Sequence, residues 1–226
     1  MNEVEIIITA DGSHSLFNST LNETYHSVHG AIQESKHVFI RNGLEYVDQL
    51  HKPEEIHVLE VGFGTGLNAL MTLHYALQAN KIIHYTTLEA YPINLETVQL
   101  LNYPHVLDFQ DAEKYFSKLH SASWEKEKVI DNNFYLYKKK IRIQDFNFSP
   151  SSFDLIYFDA FAPRKQPEMW EMQVLEKMAE TMKPGGIFVT YCAKGQLKRD
   201  LKLLGLTVET LPGPPGKKEM VRAIKN

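Results

Sequence analysis

Apolar residues fall into two rhythms along this chain. Short unbroken runs, Val58-Leu59 with Val61, Phe153 to Phe158 and Ile187 to Tyr191, have the length and composition of strands covered on both faces. Between them apolar positions recur every three or four residues, at Leu67, Leu70, Leu73 and Leu77, and again in 93–101, 112–119, 169–182 and 196–204, which predicts helices. Ahead of this alternation, Ile6 to Thr9 and Ser15 to Phe17 flank Asp11-Gly12 and predict a peripheral hairpin; Leu44, Val47 and Leu50 predict a helix that Pro53 ends. The segment between, Asn22 to Asn42, is rich in polar side chains able to face a ligand. His84 to Glu89 is a second core strand, and 134–137 with 141–143 lead to Asp145 as the end of a third. Residues 121–133 are expected to form an exposed loop. Leu206 to Leu211 and Met220 to Ile224, parted by a Pro/Gly run, close the chain as an antiparallel pair. The pattern predicts an α/β fold, an open doubly wound and mostly parallel sheet with a terminal antiparallel hairpin, which binds ligands at the carboxyl ends of its strands.

Composition narrows this reading. The 226 residues, 43% hydrophobic and 23% charged, match one soluble domain with no linker to divide it: 1–50 as a hairpin and helical cap, 51–226 as a Rossmann-like core. The acidic start and the short Ile6-Ile7-Ile8 run fit neither a secretory leader nor a membrane span, so a cytoplasmic protein without membrane attachment is expected. A single cysteine, Cys192, ends an apolar run and reads as a buried thiol. Ten histidines show no ligand spacing, so no metal is expected. Charge is uneven: residues 160–226 hold 12 Lys and Arg against 7 Asp and Glu, whereas 1–159 hold 12 against 21. Arg164, Lys165, Lys194, Lys198, Arg199, Lys217 and Lys218 follow strand ends, where they form either a phosphate-binding rim or a solvated face.

The chemistry starts at Glu60-Val61-Gly62-Phe63-Gly64-Thr65-Gly66-Leu67-Asn68, a strand running into three alternate glycines and a helix. Leu67 stands where the dinucleotide fingerprint needs its third glycine, the Lys-Ser/Thr pair of a phosphate loop is missing, and Glu60 repels a pyrophosphate. The remaining E-x-G-x-G-x-G resembles the first motif of S-adenosylmethionine-dependent methyltransferases, whose cofactor carries a sulfonium cation. Glu89, at the next strand end, is placed to accept hydrogen bonds from a ribose diol or, equally, to stabilise the following helix N-terminus. Asp159 ends the 153–158 run at the same edge, as a chemical group or as a cap of the proline-broken turn.

Asp159-Ala160-Phe161-Ala162-Pro163-Arg164-Lys165-Gln166-Pro167-Glu168-Met169-Trp170 resembles the D-G/A-F-A-P-x-K-x-P-x-M-W string of the methyltransferase domain of the bacterial tRNA-modifying MnmC family. The 23–27 and 34–39 stretches, the glycine turn and Gly216 to Met220 agree with it in order. The resemblance implies a class I S-adenosylmethionine-dependent methyltransferase that N-methylates 5-aminomethyl-2-thiouridine at the tRNA wobble position. It places Gly62, Gly64 and Gly66 on the methionine part of the cofactor, Glu89 on the ribose and Asp145 on the adenine amino group, with Glu60, Phe63 and Asn68 also binding the cofactor. Tyr25, Glu34, Phe161, Pro163, Lys165, Lys217 and Lys218 fall on the substrate side, and Asp159 faces the amine. Ala160 departs from the Gly of many relatives, and 135–143 match loosely, which bears on Asp145. A stand-alone form is expected, without the FAD oxidase domain to which the family's members are also found fused. Two other readings are a small-amine methyl- or aminopropyltransferase, against which the late basic cluster argues, and a non-catalytic RNA-binding protein, which S-adenosylmethionine binding would count against.

Overall fold

The computed structural model describes residues 4–147 and 149–226. Strands β1 (Val4–Ile8), β2 (His14–Asn18) and β3 (Glu23–Thr24) form a small antiparallel sheet. One long helical stretch follows: α1 (Ala31–Ser35), a π-helical segment Lys36–Leu44 and α2 (Glu45–His51). The core then alternates β4 (Glu55–Val61), α3 (Leu67–Ala79), β5 (Ile82–Leu88), α4 (Leu95–Gln99), α5 (Tyr103–Val106), α6 (Ala112–Ser121), β6 (Glu127–Asp131) and β7 (Phe134–Lys139). It ends with β8 (Phe153–Phe158), α7 (Met172–Thr181), β9 (Met182–Thr190), α8 (Gly195–Leu203), β10 (Leu206–Pro212) and β11 (Glu219–Lys225).

The large sheet has the order β10-β11-β9-β8-β4-β5-β7-β6. Strands β7, β5, β4, β8 and β9 are parallel, and β6, β11 and β10 are added antiparallel. Chain order reverses between β4 and β8, the switch point at which such sheets open a crevice. Along β8 the side chains alternate: Leu155 and Tyr157 enter the core beneath α3 and the π-helical segment, while Ile156 and Phe158 enter the second core beneath α7 and α8. All four are fully buried, which explains why the sequence shows an unbroken apolar run there.

Three sequence expectations change. The 121–133 stretch contains β6; its Glu127, Lys128 and Val129 are exposed and Ile130 alone among the strand's residues is fully buried, so charge on an edge strand hid it among loop residues. The third core strand ends at Lys139, and Asp145 sits on a one-turn 3-10 helix, Ile143–Asp145, rather than at a strand end. The helix predicted over 169–182 begins at Met172, after a 3-10 turn at Pro167–Trp170.

Candidate active site

The ends of the parallel strands meet around the turn that follows β4. Gly62 has φ +93, and a Cβ there would lie 2.7 Å from the Asp159 carbonyl oxygen, so glycine alone lets the turn rest against the end of β8. The Gly62 N–H donates to Leu88 O (2.9 Å) and the Asp159 N–H donates to Val61 O (3.1 Å), fastening the turn to strands on both sides. Gly66, φ +73, is the residue before α3, and a Cβ there would meet His120 Nε2 at 2.6 Å.

Two histidines, His26 buried and His120 half-buried, hold the turn's outer side at Thr65. His120 Nε2 donates to Thr65 O (3.1 Å), and His26 Nε2 is 2.7 Å from Thr65 Oγ1. Desolvation pushes both imidazoles down to about 4, so they are neutral at physiological pH. Beneath them Lys138 Nζ donates to Leu119 O and His120 O (both 2.8 Å), closing the end of α6 and facing the rings of Phe63 and Trp124. Its ammonium, 1% exposed as a residue, is pushed by burial down to about 8.

The turn, the strand ends, the 23–34 segment and the 160–169 loop enclose a cleft of about 640 Å³. It brings together Gly62, Phe63, Gly64, Asn68, Glu89 and Asp159 with Tyr25, Glu34, Phe161, Lys165 and Lys217. Glu60, Gly66, Asp145, Pro163 and Lys218 do not line it. For Glu60 the reason is strand alternation, which turns it under the cleft, where it is 0% exposed; exposed Asp145 is replaced at the wall by Ile143 and Gln144. Gln144, Tyr191 and the Thr65 clamp through His26 and His120 were not singled out in the sequence, because partners 39 and 55 residues from Thr65 leave no local signal.

Glu89 accepts the Gly64 N–H (3.0 Å) and the Tyr91 N–H (2.8 Å). Burial raises its pKa above the ordinary carboxylate value despite those donors. Its two oxygens offer about four lone-pair sites, more than the Gly64, Tyr91 and Ala90 N–H groups take up, which leaves acceptor capacity for a diol. Tyr25 packs edge-on against Phe161 (5.0 Å between centroids), and desolvation with the Glu89 charge pushes its hydroxyl up to about 12.

Asp159 lies across the turn. Its Oδ2 accepts from Asn68 Nδ2 (2.8 Å). Desolvation first, then the Glu34 carboxylate, raise it to about 7, against the opposing effects of Asn68 and Lys217. Glu34, 4% exposed, accepts the Ser27 N–H (2.8 Å) and is ion-paired with Lys217, whose Nζ sits 3.8 Å from the centre of the Tyr191 ring. Tyr191 in turn donates to Ala160 O (2.8 Å).

The expected basic rim divides. Arg164, Lys194, Arg199 and Lys218 are exposed, Lys198 is paired with Glu219 (2.8 Å), and Lys217 belongs to the cleft. At the opposite edge of the sheet, Glu55, His57 and His84 come within 4.8 Å of one another, a grouping that the sequence spacing did not foretell. Glu55 and His84 are paired at 3.3 Å, and the His57 and His84 rings are stacked 10° from parallel, so their in-plane lone pairs run side by side instead of converging.

A glycine turn at the switch point, with carboxylates at the ends of β5 and β8, defines a doubly wound α/β protein that receives an adenosyl-type ligand across its carboxyl edge. Five carboxylates against three Lys or Arg line the cleft, a balance that suits a cationic sulfonium and disfavours a pyrophosphate. The chain belongs to the S-adenosyl-L-methionine-dependent methyltransferase family, whose model matches residues 109–226. Over 97% of its length it is 31% identical to the tRNA 5-methylaminomethyl-2-thiouridine biosynthesis bifunctional protein MnmC of Pseudoalteromonas atlantica, and over 93% it is 27% identical to the protein of that name from Campylobacter hominis. It spans about a third of the length of these relatives, 33% and 31%. Among solved structures, MNMC2 from Aquifex aeolicus superposes with a TM-score of 0.80 at 24% identity, covering 99% of this chain and 70% of that one. Spermidine synthase from Thermotoga maritima gives 0.56 at 14% identity over 100% and 70%, a likeness of fold. No helix among the described residues is long and apolar enough to cross a membrane.

Proposed function

We propose that this protein transfers a methyl group to the primary amine of 5-aminomethyl-2-thiouridine at the wobble position of tRNA, giving 5-methylaminomethyl-2-thiouridine. The observation that carries this reading is Asp159, a carboxylate raised to about 7 at the cleft's inner end, on the far side of the glycine turn from Glu89. The names of the relatives supply the nucleoside, and the exposed cations around the cleft suit an RNA.

S-adenosylmethionine supplies an electrophilic methyl group on a sulfonium. Gly62 and Gly64 would give backbone access to its amino-acid part, and Glu89 would accept hydrogen bonds from its ribose hydroxyls. Asp145, exposed on its 3-10 turn, keeps the adenine role only if the 141–146 segment shifts; Gln144 already faces the cleft and is the better partner.

An alkylamine of ordinary pKa, about 10 as for lysine, is protonated at neutral pH and has no lone pair to offer. Asp159 accepts a hydrogen bond from the amine and orients the lone pair toward the methyl carbon; its value near neutrality matches it to take a proton and release it to water. In the transfer the N–C bond would form as the C–S bond breaks, with the electron pair left on sulfur, and Asp159 would take the proton that the new ammonium loses. Lys217, fixed by Glu34 and the Tyr191 ring, places a positive charge in the same pocket and opposes binding of the amine as an ammonium.

The test is methylation in vitro of tRNA taken from cells unable to perform this step, followed by mass analysis of wobble nucleosides. The expected outcome is loss of the aminomethyl nucleoside and gain of one heavier by CH2. Methylation of putrescine-like amines with tRNA untouched would replace this reading by the small-amine one.

A further inference from the structure

We propose that Glu60 is a positioning residue held as a neutral carboxylic acid, which donates to Asn68 and thereby aims the Asn68 amide at Asp159. The proposal deepens the methyl-transfer reading and rests on it for the role of Asp159. Glu60 is 0% exposed and Asn68 2% exposed. Glu60 Oε2 accepts from Thr87 Oγ1 (2.7 Å), while the carboxyl's other neighbours are the Tyr85 hydroxyl and the Asn68 amide. Asn68 Nδ2 is committed to Asp159 Oδ2, so Asn68 Oδ1 faces away from Asp159. Glu60 Oε1, Asn68 Oδ1 and the Tyr85 hydroxyl are all buried without a hydrogen-bond partner.

Glu60 Oε1 and Asn68 Oδ1 are two unmet acceptors, and the Tyr85 hydroxyl beside the Glu60 carboxyl can donate to only one of them, so an ionised Glu60 leaves an acceptor unpaired. An anion there would rest on the neutral hydroxyls of Thr87 and Tyr85 and on no cation, in a place where desolvating a charge is costly. One proton removes both faults, because a protonated carboxyl is a donor as well as an acceptor. The result is a chain of donors running one way: Thr87 to Glu60, Glu60 to Asn68, Asn68 to Asp159. It fixes the Asn68 amide in the sense that gives Asp159 a donor, and it leaves the opposite edge of Asp159 to the amine. The same burial that keeps Glu60 neutral raises its pKa to about 8, which agrees with the geometry.

Infrared and carbon-13 spectroscopy of the whole protein test this without tRNA. The wild type is expected to show at pH 7 a protonated-carboxyl band that is lost in Glu60→Gln. Glutamine can make the same two hydrogen bonds, so the Asp159 carboxyl carbon should titrate as before and kcat on tRNA should stay within about threefold. Asn68→Leu, which breaks the middle link, should move the Asp159 titration and lower kcat roughly tenfold more than it raises KM, the mark of lost orientation. Absence of a Glu60 band, or a fall in the Asp159 pKa on Glu60→Gln, would mean that Glu60 is an anion and would overturn the proposal. An unchanged Asp159 titration in Asn68→Leu would overturn the link. If tRNA proves not to be the substrate, the spectroscopic outcomes stand on their own and separate the two failures.

Discussion

Asp154 and Asp159 sit at the two ends of one strand environment, five residues apart, and the protein treats them oppositely. At the amino end of β8, Asp154 receives Lys183 Nζ on both oxygens (2.9 and 2.8 Å) and the His57 backbone N–H (2.8 Å). It therefore ties β4, β8 and β9 together as a matched ion. At the carboxyl end, Asp159 receives one neutral amide and faces another carboxylate, Glu34, in a desolvated wall. A matched acid stabilises the fold, whereas an undermatched one is held at a cost that the rest of the structure offsets, which is the usual condition of groups used for chemistry.

The sharpest way to break this contrast is to neutralise each acid in turn. Asp159→Asn is expected to lower single-turnover methylation by roughly 10²–10⁴-fold, the range of general acid–base groups, while leaving S-adenosylmethionine affinity unchanged and the melting temperature equal or higher. Asp154→Asn should do the reverse, keeping turnover and losing on the order of 1 kcal/mol of stability. Equal kinetic losses in both would show that the distinction drawn from their partners is empty.

The Gly62 contact extends the comparison to the backbone. Gly62→Ala places a Cβ 2.7 Å from the Asp159 carbonyl at φ +93, so either the turn or the end of β8 must move. A destabilisation of about 1–3 kcal/mol is expected, with loss of cofactor binding measured by calorimetry. The same substitution at Gly205, also at positive φ (+82) but with open space around its Cβ, should cost stability without touching binding.

The difference between the two cleft walls also explains what the sequence could reveal. The wall we assign to the cofactor comes from β4, the glycine turn, α3 and Glu89, contiguous enough for period and spacing to bring them to one edge, and of the residues proposed for it all line the cleft except Glu60, Gly66 and Asp145. Glu60 was misplaced because an acid two positions before Gly62 looks the same whether it faces the ligand or lies beneath it; only strand alternation decides. The substrate wall is built from 23–34, 160–169 and Lys217, and Lys217 meets Glu34 across 183 residues of sequence. Composition assigned that lysine to a surface rim, since nothing local announces a buried carboxylate partner. Edge strand β6 was illegible for the converse reason, because three of its five side chains are exposed.

The redrawn rim makes a smaller and separable prediction. Arg164, Lys194 and Arg199 are exposed, Arg199 with a single hydrogen bond to the Gln196 side chain (2.7 Å), whereas Lys217 is engaged within the cleft. Replacing Arg199 and Lys194 by Ala should weaken tRNA binding and flatten its log–log salt dependence by roughly 0.7–0.9 per residue removed. Lys217→Met should leave that slope unchanged and act on kcat. If Lys217→Met instead reduced the salt slope as Arg199→Ala does, its place in the cleft would not be its role in solution.

The smallest expected effect separates the two ends of the site by pH. Asp159 and Glu60 are raised in the fold, from 3.8 to about 7 and from 4.5 to about 8. Their neutral forms are favoured, so their contribution to stability is fully present below the unfolded values and is lost as pH rises through 7 to 8. His26 and His120 are depressed from 6.5 to about 4, so their contribution is present above 6.5 and is lost as pH falls toward 4. Between pH 4.5 and 6.5 the two sets oppose each other, the histidines adding stability as pH rises while the acids lose it, and from pH 6.5 to 8 the acids act alone, so thermal melting should show a shallow dependence below pH 6.5 and a fall above it. His120→Gln, whose amide can still donate to the Thr65 carbonyl, should change the profile only below pH 6.5, by removing one gain with rising pH; Asp159→Asn should remove a loss that runs from pH 3.8 to about 7 and so reduce the fall on both sides of 6.5, at roughly 2–4 °C for each kcal/mol involved. A profile below pH 6.5 unchanged in His120→Gln would show that this imidazole titrates without unclamping the turn, and the gain with rising pH there would then have to be assigned to His26.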